Sequence, residues 1–227
     1  MSKDRIIDLT HPIHDGMMTY PRYWHPMVEI SVLGRYGIEG RETRKLVLGS
    51  HTGTHVDASS HFVPGAKTID ELPLDHLVGP AQVVSFAPCE PLREIQVNDL
   101  ETQLGREEDI TRVLLRFDWS ERWGRMPFYS ESPYLSTQAC KWLIDRGVKL
   151  VGMDTPSPDN PRNLSGSEVD SPNHKLLLAN DVILVEYLSN MKEIRKNRVT
   201  LIALPLKVHR GDGAPARVIV IESEGSI

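Results

Sequence analysis

The sequence predicts a single α/β domain over residues 1–227, with a mixed, strongly curved sheet and few helices. Three observations carry this. Short apolar runs of strand character recur along the chain, separated by glycine- and proline-rich turns. Between Ser136 and Met153 a helix pattern, a glycine and a buried strand pattern follow one another, which is an α/β unit. No repeat, low-complexity tract or composition shift divides the chain, and 227 residues suffice for one sizeable core.

In order, Ile6 to Thr10 is a short apolar segment that runs into the turn-rich His11–Gly16. Met27 to Leu33 and Arg44 to Leu48 read as strands, and the second leads directly to His51. Ile69 to Leu77 reads as a helical or irregular connector closed by Gly79-Pro80, with His76 structural. Gln82 to Phe86 and Arg112 to Phe117 are strands, and between them Asn98 with Glu101 offers a capping-box-like helix start. Ser136 caps a helix through Arg146, which places Ala139, Cys140, Leu143 and Ile144 on one face and ends at Gly147. Val148 to Met153 follows as a buried strand ending at Asp154. The segment from Thr155 to Pro172 has four prolines and is long for a loop inside a compact domain, as functional lids are. His174 opens a short helix, Val182 to Leu188 is a strong strand pattern, and Thr200 to Leu206 and Arg217 to Glu222 complete the sheet after a turn at Gly211–Pro215.

Composition excludes several classes. The chain is 40% hydrophobic and 25% charged, as globular proteins are, and its net charge of −5 argues against general nucleic-acid binding. Cys89 and Cys140 form no Cys-x-x-Cys pair and no disulfide framework, which points to thiols in a reducing compartment. Neither lies beside a histidine in sequence, and no Gly-x-Ser-x-Gly elbow supports a serine nucleophile. The start Met1-Ser-Lys-Asp-Arg lacks the apolar run of a signal peptide, and no stretch reaches the roughly 20 apolar residues of a membrane span. A cytoplasmic protein that binds neither membrane nor nucleic acid is expected.

Chemistry concentrates in Ser50-His51-Thr-Gly-Thr-His55-Val-Asp57-Ala-Ser-Ser-His61. Three of the nine histidines and an aspartate occupy eleven residues, at offsets of four, two and four. These are nitrogen and oxygen donors of the kind divalent ions prefer. A continuous helix would turn Asp57 away from His51 and His55, and a fully extended strand would part the two histidines by roughly 13 Å. The chain must curl, and Gly53 is where a curl strains least. A metal site in a bent strand or loop is the reading; a hydrogen-bonded polar turn is the alternative. Tyr20-Pro21-Arg22-Tyr23-Trp24 reads either as a buried anchor or as an aromatic wall for a substrate ring. Glu186 lies inside an apolar strand, where a carboxylate is paired, protonated or bound unless the strand is an exposed edge.

His51-Thr-Gly-Thr-His55-Val-Asp57 with His61 resembles the His-x-Gly-Thr-His-x-Asp-x-x-x-His signature of the metal-dependent cyclase family, which includes bacterial kynurenine formamidases and isatin hydrolases. Asp8-Leu-Thr-His-Pro-Ile, Leu74-Asp75 with Gly79-Pro80, Leu150-Val-Gly-Met-Asp-Thr-Pro-Ser and Ala203-Leu-Pro-Leu-Lys207 fall in family order, so the similarity covers most of the chain. The resemblance implies a barrel-like, swivelling β/β/α fold and a homodimer or homotetramer. It implies two divalent ions, Zn²⁺ or Mn²⁺, one held by His51, His55 and Asp57 and the other by Asp57, His174 and Glu186. The twelve-residue spacing of His174 and Glu186 matches the family's second-metal pair. His61 would be the general acid/base, with a further ligand role as the competitor. Tyr20 takes the place of a pocket-lining aromatic; Trp24 is a substrate contact on the aromatic-wall reading of the segment alone. The family's proline after Asp57-Ala58 is Ser59 here, which removes a stiffening element from the turn that places His61.

The implied activity is hydrolysis of a small C–N bond by ion-activated water. The leading case is an arylformamidase of tryptophan breakdown acting on N-formyl-L-kynurenine; isatin or another lactam or lactone is the alternative substrate. A non-catalytic protein with a structural metal is the alternative of another class.

Overall fold

Runs of leucine and β-branched residues form strands because such side chains pack well on a pleated surface. The computed structural model describes residues 4–105, 110–163 and 165–223. The chain begins with β1 (Arg5–Asp8), then a hairpin of β2 (Glu29–Gly34) and β3 (Thr43–Val47) with the one-turn helix α1 (Tyr36–Glu39) between them. Next come β4 (His55–Asp57), α2 (Leu74–Leu77), β5 (Val78–Ser85), β6 (Glu94–Ile95), α3 (Val97–Leu104) and β7 (Arg112–Arg116). After α4 (Met126–Ser130) and β8 (Tyr134–Leu135) follow α5 (Thr137–Asp145), β9 (Leu150–Met153), α6 (Pro172–Ala179), β10 (Ile183–Glu186), β11 (Arg198–Pro205) and β12 (Gly213–Glu222).

The main sheet runs β1-β12-β11-β5-β7-β9-β10-β4, and β4 pairs back onto β12. Seven strands therefore close into a barrel, with β1 flanking it. The length of β12 makes this possible: Gly213–Pro215 pair with β4, while residues 219–222 pair with β1. The pairings β5–β7, β7–β9 and β9–β10 are parallel and the others in this sheet antiparallel, so the sheet is mixed and curved as the sequence predicts and barrel-like as the resemblance implies. The parallel strands β7, β9 and β10 are buried almost throughout, as strands covered on both faces must be. Alternation along β7 sends Val113 and Leu115 into the layer containing Leu100, Leu143 and Leu177 of α3, α5 and α6, and Leu114 into the barrel with Val56, Leu201 and Val218.

Three boundaries differ from expectation. The helix start predicted at Asn98 lies earlier, where Gln96 caps α3 and the reciprocal partner is Asp99. The turn expected through Gly211–Pro215 yields to β12 from Gly213 onward, because β4 supplies a partner there that no local pattern reveals. Gly79-Pro80 do not close the connector but lie inside β5, paired with Leu201 and Thr200 of β11. Proline offers no N–H to a ladder, and Arg112 occupies the neighbouring space. Its guanidinium donates to the carbonyls of Pro80 at 3.1 Å and His76 at 2.8 Å, and to that of Asp75.

Among the described residues the hairpin of β2 and β3 has no further strand partner, and most of its residues are exposed. With α1 it carries exposed Val32, Leu33, Tyr36, Ile38 and Leu46. Among the described residues, no helix is long and apolar enough to cross a membrane.

Gly79 has φ +143°, and a Cβ there would meet the Arg112 guanidinium at 2.9–3.1 Å. Gly79→Ala is expected to destabilise the fold by about 2–3 kcal/mol through backbone strain and overpacking. Denaturant unfolding checks this; an unchanged midpoint would remove the Arg112 packing argument.

Candidate metal centre

Strand β4 is three residues long and paired on both edges. Glu186 of β10 lies opposite His55, and Gly213 of β12 lies opposite Asp57. Alternation turns Val56 into the barrel and leaves His55 and Asp57 facing the other way. The curl predicted before the strand is present, with Gly53 at φ +62°. Its carbonyl lies 2.8 Å from Nδ1 of His55, and since a carbonyl only accepts, Nδ1 carries the hydrogen and Nε2 faces the site. His174 repeats the pattern on α6: its Nδ1 lies 2.6 Å from Oδ2 of Asp159, which also accepts the His174 backbone N–H at 3.2 Å. Metal-ligating histidines are oriented in this way by their second nitrogen.

The freed atoms converge. Nε2 of His55 is 3.1 Å from Oδ1 of Asp57 and 3.5 Å from Oε2 of Glu186. Nε2 of His174 is 3.6 Å from Oδ2 of Asp57 and 3.1 Å from Oε1 of Glu186. Yet Asp57 Oδ2 and Glu186 Oε1 are buried and accept no hydrogen bond. These two oxygens and the imidazole nitrogens facing them thus converge on a shared space, which is how a cation site is built. The set fits a divalent ion of the zinc or manganese type. Two groups have ligand atoms mutually within 4.8 Å: His51, Asp57 and His61, and His55, Asp57 and Glu186. Asp57 belongs to both, as a bridging carboxylate would. The structure groups His61 with His51, whereas the sequence reading placed His55 there and kept His61 apart as acid/base.

His51 is held at both nitrogens, with Nδ1 2.8 Å from Asp57 Oδ1 and Nε2 2.8 Å from Asp212 Oδ2. His61 presents Nδ1 to the same Asp212 oxygen at 3.3 Å. Without the family's proline, the His61 turn is pinned by hydrogen bonds: Ser60 N to Lys67 O at 3.0 Å, His61 N to Ala58 O at 3.0 Å, and Ser59 Oγ to Asp181 at 3.1 Å. Asp212 was missed because Gly211-Asp-Gly213 reads as a turn. Its signal was the glycine pair, since a Cβ on Gly213 would stand 2.8 Å from Cε1 of His51 and one on Gly211 would stand 2.9 Å from Ile69.

A cavity of about 290 Å³ opens onto these groups. Tyr20 and Trp24 line it, together with Phe62, Tyr187 and, unforeseen, His25. Burial pushes the His25 imidazole down to about 4, so it faces the cavity neutral. Pro156, Ser157, Ser165 and Asp170 bring the 155–172 loop to the rim, and Arg22 Nε donates to Ser165 Oγ at 3.3 Å. The early part of that loop is framework: Asp159 is buried and holds the start of α6 through Asn173 and His174. His209 is outside the site, exposed and paired with Asp70 at 3.1 Å.

Comparison with known proteins shows the family and the fold. The sequence profile of a family described as putative cyclase matches residues 7–160. A kynurenine formamidase of Bordetella petrii is 30% identical over 220 residues, covering 95% of this chain and 94% of its own. Isatin hydrolase A from Labrenzia aggregata, solved with benzyl benzoate, superposes with a TM-score of 0.83 at 27% identity, covering 97% and 94% of the two chains. An isatin hydrolase bound to the product analogue thioisatinate shares the fold, with a TM-score of 0.86 at 24% identity over 97% and 93% of the chains.

Burial lowers the His51 imidazole, but Asp57 and Asp212 outweigh it and raise it to about 10. His174 is likewise raised, burial being outweighed by Glu186 and Asp159. Without an ion both rings therefore carry protons at pH 7, and an entering cation must expel them. Zinc binding is expected to release close to two protons at pH 7 and to strengthen with rising pH, by about tenfold per pH unit for each proton. Calorimetry in buffers of differing ionisation enthalpy reads this, and a pH-independent affinity between pH 6 and 8 would contradict it.

Proposed function

The chain belongs to the putative cyclase family and is a hydrolase of that family; from this membership and the centre's geometry we propose that it is a binuclear metal-dependent amidohydrolase, an arylformamidase converting N-formyl-L-kynurenine to kynurenine and formate. The observation that carries the reading is the pair of buried carboxylate oxygens, on Asp57 and Glu186, that accept no hydrogen bond and face imidazole nitrogens beside an open cavity. A structural metal site is usually closed by four ligands and rich in cysteine; this one opens on a pocket and has none.

His51, His55 and Asp57 would hold one ion and Asp57, His174 and Glu186 the other, with His55 also within 3.5 Å of Glu186. When bound, the ions lower the pKa of water and polarise the substrate carbonyl. Tyr20 and Trp24 flank the substrate ring, and a cavity of about 290 Å³ admits one small aromatic molecule. His61 takes a proton from the attacking water on its cavity side and delivers it to the departing aryl amine as the C–N bond breaks. Phe62 and Tyr187 screen the reacting carbonyl from bulk water. The fold shared with isatin hydrolases supports a second reading, opening of a lactam ring by the same groups. The arm of β2, α1 and β3 is where we place the contact of a homodimer or homotetramer, since an isolated hairpin is marginal in water and this one exposes apolar side chains. A monomer by light scattering would remove that contact.

Turnover by zinc- and manganese-loaded protein on N-formyl-L-kynurenine and isatin, run in parallel, tests the substrate. The formamide should be preferred, with activity lost on chelation; preference for isatin moves the substrate and keeps the site. His61→Ala should lower kcat by about 10²–10⁴ and retain its zinc. An equal fall in bound zinc would make His61 a ligand instead.

A further inference from the structure

We infer that Asp212 is a positioning residue that fixes the His51 ring for metal binding and the His61 ring for proton transfer through one shared carboxylate oxygen. The inference rests on the acid–base role given to His61 above. Oδ2 of Asp212 lies 2.8 Å from Nε2 of His51 and 3.3 Å from Nδ1 of His61, and the ring centroids are 4.0 Å apart. An ionised carboxylate only accepts, so both of those nitrogens carry hydrogen. By the same rule His51 Nδ1, 2.8 Å from Asp57, carries hydrogen until a cation takes its place, and His61 is left with Nε2 as the nitrogen that exchanges a proton. Among the described residues, no other side-chain hydrogen bond orients the His61 ring.

The plain alternative is an incidental surface pair, because the Asp212 side chain is 45% exposed. Its backbone argues otherwise. The Asp212 carbonyl accepts Ala58 N–H at 2.9 Å, the Gly211 carbonyl accepts Ile69 N–H at 2.8 Å, and Arg210 N donates to Asp70 at 3.0 Å. On the other side, Gly213 presses on His51 so closely that a Cβ would stand 2.8 Å from the ring. The carboxylate is thus delivered to the two rings by barrel closure, not by a free surface side chain. Carboxylate partners that fix tautomer and ring orientation serve ligating and proton-transferring histidines alike.

The test uses zinc-loaded wild-type protein, Asp212→Ala and Asp212→Asn. Long-range ¹H–¹⁵N spectra should show wild-type His61 protonated at Nδ1 with Nε2 bare. In Asp212→Ala, His61 should shift toward the Nε2–H tautomer and zinc affinity should fall about 10–100-fold. On N-formyl-L-kynurenine, kcat should fall by a similar factor with KM within twofold. Asp212→Asn keeps an oxygen acceptor in the same place and should recover most of the tautomer and affinity. A wild-type His61 protonated at Nε2 overturns the inference whatever the variants do. So do an unchanged tautomer and a zinc affinity within twofold in Asp212→Ala. If wild-type protein fails to turn over the formamide, the substrate assignment falls, and the tautomer and zinc readings still judge Asp212.

Discussion

Asp57 has no exposed surface and sits where three strands meet, opposite Leu184 of β10 on one edge and Gly213 of β12 on the other. Burying a bare carboxylate costs several kcal/mol, so the surroundings must supply positive charge. Burial raises its carboxyl, and His51 and His55 outweigh that and hold it well below the usual range. Each neighbour then makes demands of its own. Glu186, two residues along β10 from Leu184, is buried beside Asp57 and is raised by burial and by that charge. Two adjacent buried carboxylates cannot both stay ionised against histidines alone without protons from solvent or cations in their place. The geometry of β4, β10 and α6 follows from satisfying that requirement.

Much of the candidate centre was legible in sequence because several of its side chains are local. His51, His55, Asp57 and His61 lie within one turn-and-strand segment, and Gly53 marks the bend that lets them converge. Glu186 stood out as a charged residue inside an apolar run, and its twelve-residue spacing from His174 tied it to the centre through the family resemblance. What escaped was held together by pairing between distant segments. Asp159 precedes His174 by fifteen residues in a proline-rich loop, and its role appears only when α6 folds back onto it. Asp212 lies 161 residues from His51. Its glycines read as a turn because local pattern cannot report that a second strand requires their missing side chains. The closure of the barrel was hidden by the same residues, since β12 begins where turn composition is strongest.

The two halves of the site differ in how they are fixed. His55, Asp57 and Glu186 stand on strands paired on both sides, and His174 is tied to Asp159 at both its backbone and its ring. Such positions move little, as metal ligands must. The substrate side is built from connecting segments: Tyr20 and Trp24 before the arm, and Ser165 and Asp170 in the 155–172 loop. Loops vary more readily than strands. Relatives can therefore share a centre and differ in substrate, and the family resemblance constrains the mechanism more tightly than the molecule it acts on.

Closure and chemistry are also coupled through length. The seam between β4 and β12 is only Gly213 to Pro215 against His55 to Asp57, and short pairings contribute little stability by themselves. A cation that binds the folded centre but not the unfolded chain adds stability in proportion to the logarithm of its concentration over its Kd. Because the candidate ligands lie on β4, β10 and α6, that stabilisation acts on the elements flanking the seam. Asp212 lies immediately before the seam on β12 and faces His51 before β4, so opening the seam would release both the barrel and the two imidazoles. The ring of strands and the ring of ligands are in this sense closed by the same few residues, which is why glycine is required at 213, where a side chain would part them both.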